Sequence, residues 1–195
     1  MKEIILEKTF SDSLEKTISE WTTEDRKKRF RNVLDVGNIQ SIYLEKFMDK
    51  MNFFTAPASI GRHGNYEGGL FDHSLCVTQC LISLTERLGL KWERQRSPYI
   101  VGMFHDICKC DNYQKINEVW EYKKDSILNG HGEKSVIMLQ QALLLTQEEI
   151  MCIRWHMGAF DDKENWKFYS RAVNKYPNVL YTHTADMIAS QIAEV

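Results

Sequence analysis

Along most of the chain apolar residues recur at three- and four-residue spacing, the period of a helix that buries one face. Read this way, residues 12–21 and 23–35 form short helices, the second opening at Thr22 or Thr23 with acidic residues in its first turn. Ile39, Ile42, Tyr43, Phe47 and Met51 keep helical spacing over 39–52. The stretch 53–69, FFTAPASIGRHGNYEGG, is rich in Gly, Pro, Ser and Asn and reads as a loop. A strong helix is expected over 70–88 and another over 97–109. The period then breaks. Tyr113, Ile116, Val119, Trp120 and Tyr122 favour strands, and Asn117-Glu118 suits a turn, so a small β-hairpin is expected near 113–123. Helical spacing resumes over 131–144 and 147–157, the latter opened by the T-x-x-E capping box of Thr146 and Glu149. The last elements are 164–174 and a terminal helix from Pro177, where proline suits a first turn. The fold class is all-α with one hairpin.

A length of 195 residues fits one domain, with no repeat, low-complexity stretch or linker to divide it. Apolar and charged fractions of 43% and 27% are those of an ordinary globular chain. A formal charge of -2 gives no overall push toward nucleic acid. The opening MKEIILEKTF lacks the apolar run of a signal peptide, and no segment has the roughly 18–20 apolar residues of a membrane span. With five cysteines and no export signal, the expected location is a reducing cytoplasm, with no membrane partner.

Candidate chemistry is concentrated in a few residues. His73 lies in GGLFDHSL, His105 and Asp106 with Lys109 in MFHDICK, His131 in NGHGEKS, His156 in IRWHMG and Asp186 in HTADMIAS. Four of the chain's six histidines fall in this series, several beside glycine. Imidazole suits borderline divalent metals and a carboxylate can bridge two of them, so the set can hold one or two ions (Fe, Mn, Ni, Co, Zn or Mg) and leave positions for water and substrate. Each histidine alone is more simply a core or surface residue; the ordered series points to a metal-dependent hydrolase. Adjacent helical residues diverge by about 100°, so His105 and Asp106 converge on one ion only at a helix end or bend. Lys109 shares their helical face and is placed to meet an anionic substrate group.

FFTAPAS, YEGGLFDHSL, FHDICK, GHGEKSV, IRWHMG and HTADM together resemble the HD-domain phosphohydrolase superfamily, most closely a group of small stand-alone bacterial and phage members without a settled substrate. The resemblance runs from about residue 53 to 192. It implies an HD core over 53–195 with residues 1–52 as a helical extension. It also implies His73, His105, Asp106 and Asp186 as core metal ligands, and His131 and His156 as the additional ligands of two-metal members. The implied reaction is hydrolysis of a phosphate ester of a nucleotide or short oligonucleotide by metal-activated water, with Asp106 and Lys109 in catalytic roles. GGLFDHSL is also similar to the HD module of bacterial 3′-5′ exoribonucleases, so an exonuclease-like phosphodiesterase is the alternative enzyme. A nucleotide sensor that keeps its metal without turnover is the alternative from outside the enzymes.

Arg62 and His63 in the loop, and His183 one turn before Asp186, are candidates for substrate contact; an exposed loop and a half-buried histidine are the plainer readings. Cys76, Cys80, Cys108 and Cys110 lack a paired CxxC pattern and read as small core residues. The basic run Arg26, Lys27, Lys28, Arg29 and Arg31 offers nucleic acid a contact but equally suits a solvated helix face. The hairpin aromatics either stack on a base or cover the core.

Overall fold

The computed structural model describes residues 20–128 and 130–195; the helix expected over 12–21 lies almost wholly outside them. Helix α1 (Thr23–Val36) is opened by Thr22, whose hydroxyl accepts from the Asp25 amide while Asp25 accepts from the Thr22 amide, a reciprocal cap. Helix α2 (Ser41–Lys50) buries Leu44 and Met48, and leaves Ile42 and Tyr43 largely exposed. The apolar positions over 39–52 therefore outnumber those that face the core.

The centre of the molecule is α3 (Gly69–Leu88), buried without interruption from Gly69 to Ile82. A helix covered on all sides must find partners for its polar residues. Asp72 is held by Arg26 of α1, Nε to Oδ1 at 2.9 Å and Nη2 to Oδ2 at 2.8 Å, and the Thr78 hydroxyl donates to the Ser74 carbonyl at 2.7 Å. Helix α4 (Ser97–Phe104) crosses α3 at Gly102, where a Cβ would stand 2.5 Å from the Thr78 Cα. Only glycine lets the two backbones approach so closely.

The helix expected over 97–109 does not run through. Beyond Phe104 the amides of Ile107, Lys109, Cys110 and Asp111 bond to the carbonyls three residues back, and the regular helix resumes as the short α5 (Lys109–Asn112). This tightened stretch supplies a bend at His105-Asp106. The hairpin follows: β1 (Tyr113–Ile116) pairs antiparallel with β2 (Val119–Tyr122), Ile116 opposite Val119 and Tyr113 opposite Tyr122. Asn117 and Glu118 both have positive φ, as a two-residue hairpin turn requires. Tyr113 is buried and Trp120 packs on the core, whereas Tyr122 is exposed.

Helix α6 (His131–Leu139) ends earlier than its apolar spacing suggests, in turns from Gln140. Helix α7 (Gln147–Arg154) carries the expected Thr146–Glu149 capping box. Short 3-10 turns lead to α8 (Trp166–Lys175), then α9 (Asn178–Ile188) with Pro177 as its N-cap, and a π turn over Ala189–Ala193. Helix α9 packs on both α3 and α7, and α6 packs on α7.

Phe30, Phe53, Phe54, Phe71 and Phe104 meet edge-on or tilted, with ring centroids 5.3–6.3 Å apart. Through them α1, the loop after α2, α3 and α4 share one core, which also takes in Trp21, Leu44 and Met48. The architecture is all-α with a two-stranded hairpin. Among the described residues, no helix is long and apolar enough to cross a membrane.

Candidate metal centre

Five parts of the fold deliver the candidate ligands, His105 and Asp106 coming from the same bend. His73 projects from the second turn of α3, and His105 and Asp106 sit at the bend after α4. His131 is the first residue of α6, preceded by Gly130 at φ 83 and followed by Gly132, whose missing Cβ would stand 2.1 Å from the Arg154 carbonyl oxygen. That close approach seats the start of α6 against the end of α7. His156 lies two residues beyond α7, and Asp186 lies on α9.

Three of the histidines are oriented the same way. The Nδ1 of His73 lies 2.8 Å from the Val195 carbonyl oxygen, that of His105 2.9 Å from Gly102, and that of His156 2.7 Å from Ile153. A carbonyl only accepts, so each Nδ1 carries a proton and each ring turns its Nε2 inward. Those inner atoms converge. His105 Nε2 is 3.3 Å from His73 Nε2, and Asp186 Oδ1 is 3.2 Å from His73 Nε2 and 3.9 Å from His105 Nε2. Asp106 Oδ2 lies 3.7 Å from His73 Nε2 and 3.5 Å from His105 Nε2. Its Oδ1 lies 3.2 Å from His156 Nε2 and 2.6 Å from His131 Nε2. His73, His105, Asp106 and His156 are all buried, yet Asp106 Oδ1 and His156 Nε2 have no partner with hydrogen-bond geometry. In three overlapping sets, donor atoms lie within 4.8 Å of one another: His73, His105 and Asp106; His105, His156 and Asp186; and Asp106, Cys108 and His131.

The electrostatics follow from burial and crowding. Burial pushes His105 down to about 3, which keeps it neutral. Burial also raises the Asp106 carboxyl, but Lys109, His105 and His131 outweigh it and hold the group well below the usual carboxylate range. Asp186 is lowered in the same way, against its burial, by His73 and His105. For Lys109 and His131 burial works against the charged form, and Asp106 with Cys108 more than offsets it, so both are raised. Lys109 Nζ rests 2.5 Å from Asp106 Oδ2, buried beside the cluster.

The other candidates divide. His63 packs against His73, ring centroids 5.2 Å apart and planes tilted by 37°, and burial with His73 and Lys109 nearby pushes it down to about 4. Arg62 is exposed on the same loop. His183 bonds through Nδ1 to the His156 carbonyl at 2.7 Å, which ties α9 to the turn that carries His156. Cys76, Cys80, Cys108 and Cys152 are buried and Cys110 is half-buried. Cys108 Sγ faces His131, a contact that burial alone does not signal. In the basic run, Arg26 is paired with Asp72, Lys27 with Asp49, and Arg31 with Glu24 and Glu45, while Arg29 lies over the Trp21 ring. A cleft of about 490 Å³ opens between the hairpin and the loop, lined in part by Cys110, Asp111, Lys115, Trp120 and Lys123, and it shares α5 with the cluster.

No protein-family profile and no solved structure matches the chain. A stretch of 61 residues is 41% identical to the dihydroneopterin 2′,3′-cyclic phosphate phosphodiesterase of Methanocaldococcus jannaschii. It covers 30% of this chain and 24% of the archaeal protein, so the likeness extends over about a quarter of that relative. The relative is an enzyme that acts on a phosphate ester.

Proposed function

We propose that this chain is a metal-dependent phosphohydrolase of the HD type, hydrolysing a phosphate ester of a nucleotide or short oligonucleotide. One observation carries the reading: the Nε2 atoms of His73, His105 and His156, each fixed from behind by a carbonyl, point at one another and at Asp106 and Asp186. Lone pairs and carboxylates packed this closely in a buried place repel unless a cation joins them. The donor set fits a divalent ion, and the buried Asp106 Oδ1 and His156 Nε2 without hydrogen bonds are the atoms such an ion satisfies. His73, His105, Asp106 and Asp186 would hold one ion, and His131 and His156 with Asp106 a second beside it.

A divalent ion held there supplies Lewis acidity, lowering the pKa of water and neutralising charge on phosphoryl oxygens. The chain's own residues do the rest. Asp106 keeps the Lys109 ammonium at the edge of the cluster, where it meets a phosphate oxygen. His63, beside His73, reaches a bound ester from the loop side, with Arg62 further out for a second anionic group. The burial of the donors excludes bulk water and strengthens each of these interactions. The cleft beside α5, with Trp120 and two lysines, suits the organic part of a substrate.

The archaeal relative's name favours a diester over a monoester. The test is a screen of 2′,3′-cyclic nucleotides, nucleoside monophosphates and short oligonucleotides with Mn²⁺, Fe²⁺, Co²⁺, Ni²⁺ and Mg²⁺. Metal-dependent release that Asp106→Ala abolishes is the expected outcome. Tight nucleotide binding without release, in metal-replete protein, overturns the enzyme reading in favour of a sensor.

A further inference from the structure

Cys108 stands apart from the chain's other cysteines. Its Sγ lies 3.2 Å from Nδ1 and 4.0 Å from Nε2 of His131. An acceptor in line with the Nδ1–H bond would be separated from Nε2 by the full width of the ring. A sulfur 4.0 Å from Nε2 is off that line, to one side of the ring or over its face, while the Nε2 end of the ring meets Asp106 Oδ1 at 2.6 Å. Cys108 therefore does not repeat the backbone-carbonyl role seen behind His73, His105 and His156. Its Sγ, an Asp106 carboxylate oxygen and a His131 ring nitrogen all lie within 4.8 Å of one another.

We propose that Cys108 is a thiolate ligand of the second metal position, completing it with Asp106 and His131. The local fold prepares the sulfur for this. The Cys108 amide donates to the Ser135 hydroxyl of α6 at 3.2 Å, which fixes the bend against the helix that carries His131. Asn112 of α5 points its amide nitrogen at the sulfur from 3.9 Å, a donor suited to an anionic sulfur. On binding, the thiol proton leaves to solvent and the sulfur lone pair joins the metal. A sulfur ligand shifts preference toward borderline and soft ions such as Zn²⁺, Co²⁺ and Fe²⁺ and away from Mg²⁺, which prefers oxygen. The centre becomes asymmetric: a histidine and carboxylate position beside one that selects its metal through sulfur.

This rests on the metal-dependent reading, and cobalt substitution separates the two. Saturated with Co²⁺, the wild-type protein should show the near-ultraviolet sulfur-to-cobalt charge-transfer band of a thiolate ligand. Cys108→Ser should abolish the band and lower bound cobalt by about one ion per chain, while Cys110→Ser, two residues on, keeps both. His131 is part exposed, so His131→Ala offers a second variant should Cys108→Ser fail to fold, and it should lose the band too. Cobalt bound in wild-type protein without the band, or a band that survives Cys108→Ser or His131→Ala, overturns the thiolate assignment and leaves the phosphohydrolase reading intact. No bound cobalt at all overturns both.

Discussion

Removing Arg26 should cost this protein a large part of its stability, because Arg26 is the partner of a buried carboxylate in the helix that carries His73. Asp72 is 2% exposed and takes both of its guanidinium bonds from Arg26, at 2.9 and 2.8 Å, while Arg26 Nη1 donates to the Trp21 carbonyl at 2.7 Å. Breaking a buried pair from one side strands the other charge, at a cost of about 3–5 kcal/mol. Against a total of roughly 5–15 kcal/mol this is about a fifth or more. For a domain of this size it lowers Tm by roughly 6–20 °C. The loss should depend on pH with a defined sign. Burial raises the Asp72 pKa, and the bonds from Arg26 and Tyr66 restrain the rise. Without Arg26 it rises further. A carboxyl whose folded pKa lies above its unfolded one favours the folded state below the unfolded value, and that support is lost as pH climbs through the folded value. The deficit of Arg26→Met relative to wild type should thus be largest at neutral pH and shrink in acid as Asp72 takes up its proton. Urea titrations at several pH values measure it, and the double variant Arg26→Met/Asp72→Leu should recover most of the loss. A deficit under about 1 kcal/mol that does not change with pH would refute the argument, since that is the size of a surface pair.

Other consequences are equally concrete. Lys109→Ala should retain metal and lose about 10²-fold in kcat/KM, the worth of one preorganised charge contact; unchanged kinetics on the best substrate would remove Lys109 from the reaction. Gly102→Ala should push α4 off α3, where the new Cβ meets Thr78 backbone at 2.5 Å, costing about 1–3 kcal/mol in thermal denaturation and weakening metal binding by separating His105 from His73. Chelation should lower Tm, by the equivalent of about 2.7 kcal/mol from metal at a hundred times its Kd, and a chelator-insensitive Tm would count against an ion joining the cluster.

The local features of this fold were legible because they are set by neighbours in sequence. The Thr146–Glu149 box opens α7, and Asn117-Glu118 makes the hairpin turn. Tertiary competition was not legible. Ile42 and Tyr43 have the spacing of a buried face but lose it to Leu44 and Met48, which meet the core. At the centre, residue types and their order marked His73, His105, Asp106, His131, His156 and Asp186, and the chain brings all six side chains together. What orders them was hidden. The tightened turn that aims His105 and Asp106 together reads as continuous helix from its apolar spacing. The carbonyl behind His73 belongs to Val195, 122 residues away, and carries no side-chain signal. Cys108 looks like any small core residue until the position of its sulfur beside His131 is seen.

The central claim is that the converging imidazoles and carboxylates hold divalent metal. Elemental analysis of the purified chain, grown and handled with metals supplied, tests it most directly against His105→Ala and Asp106→Ala prepared in parallel. The account predicts between one and two ions per wild-type chain by the donor count, with a sharp fall in both variants while far-ultraviolet circular dichroism shows the helices intact. A metal-free wild type, or folded variants that keep the wild-type metal content, would contradict it.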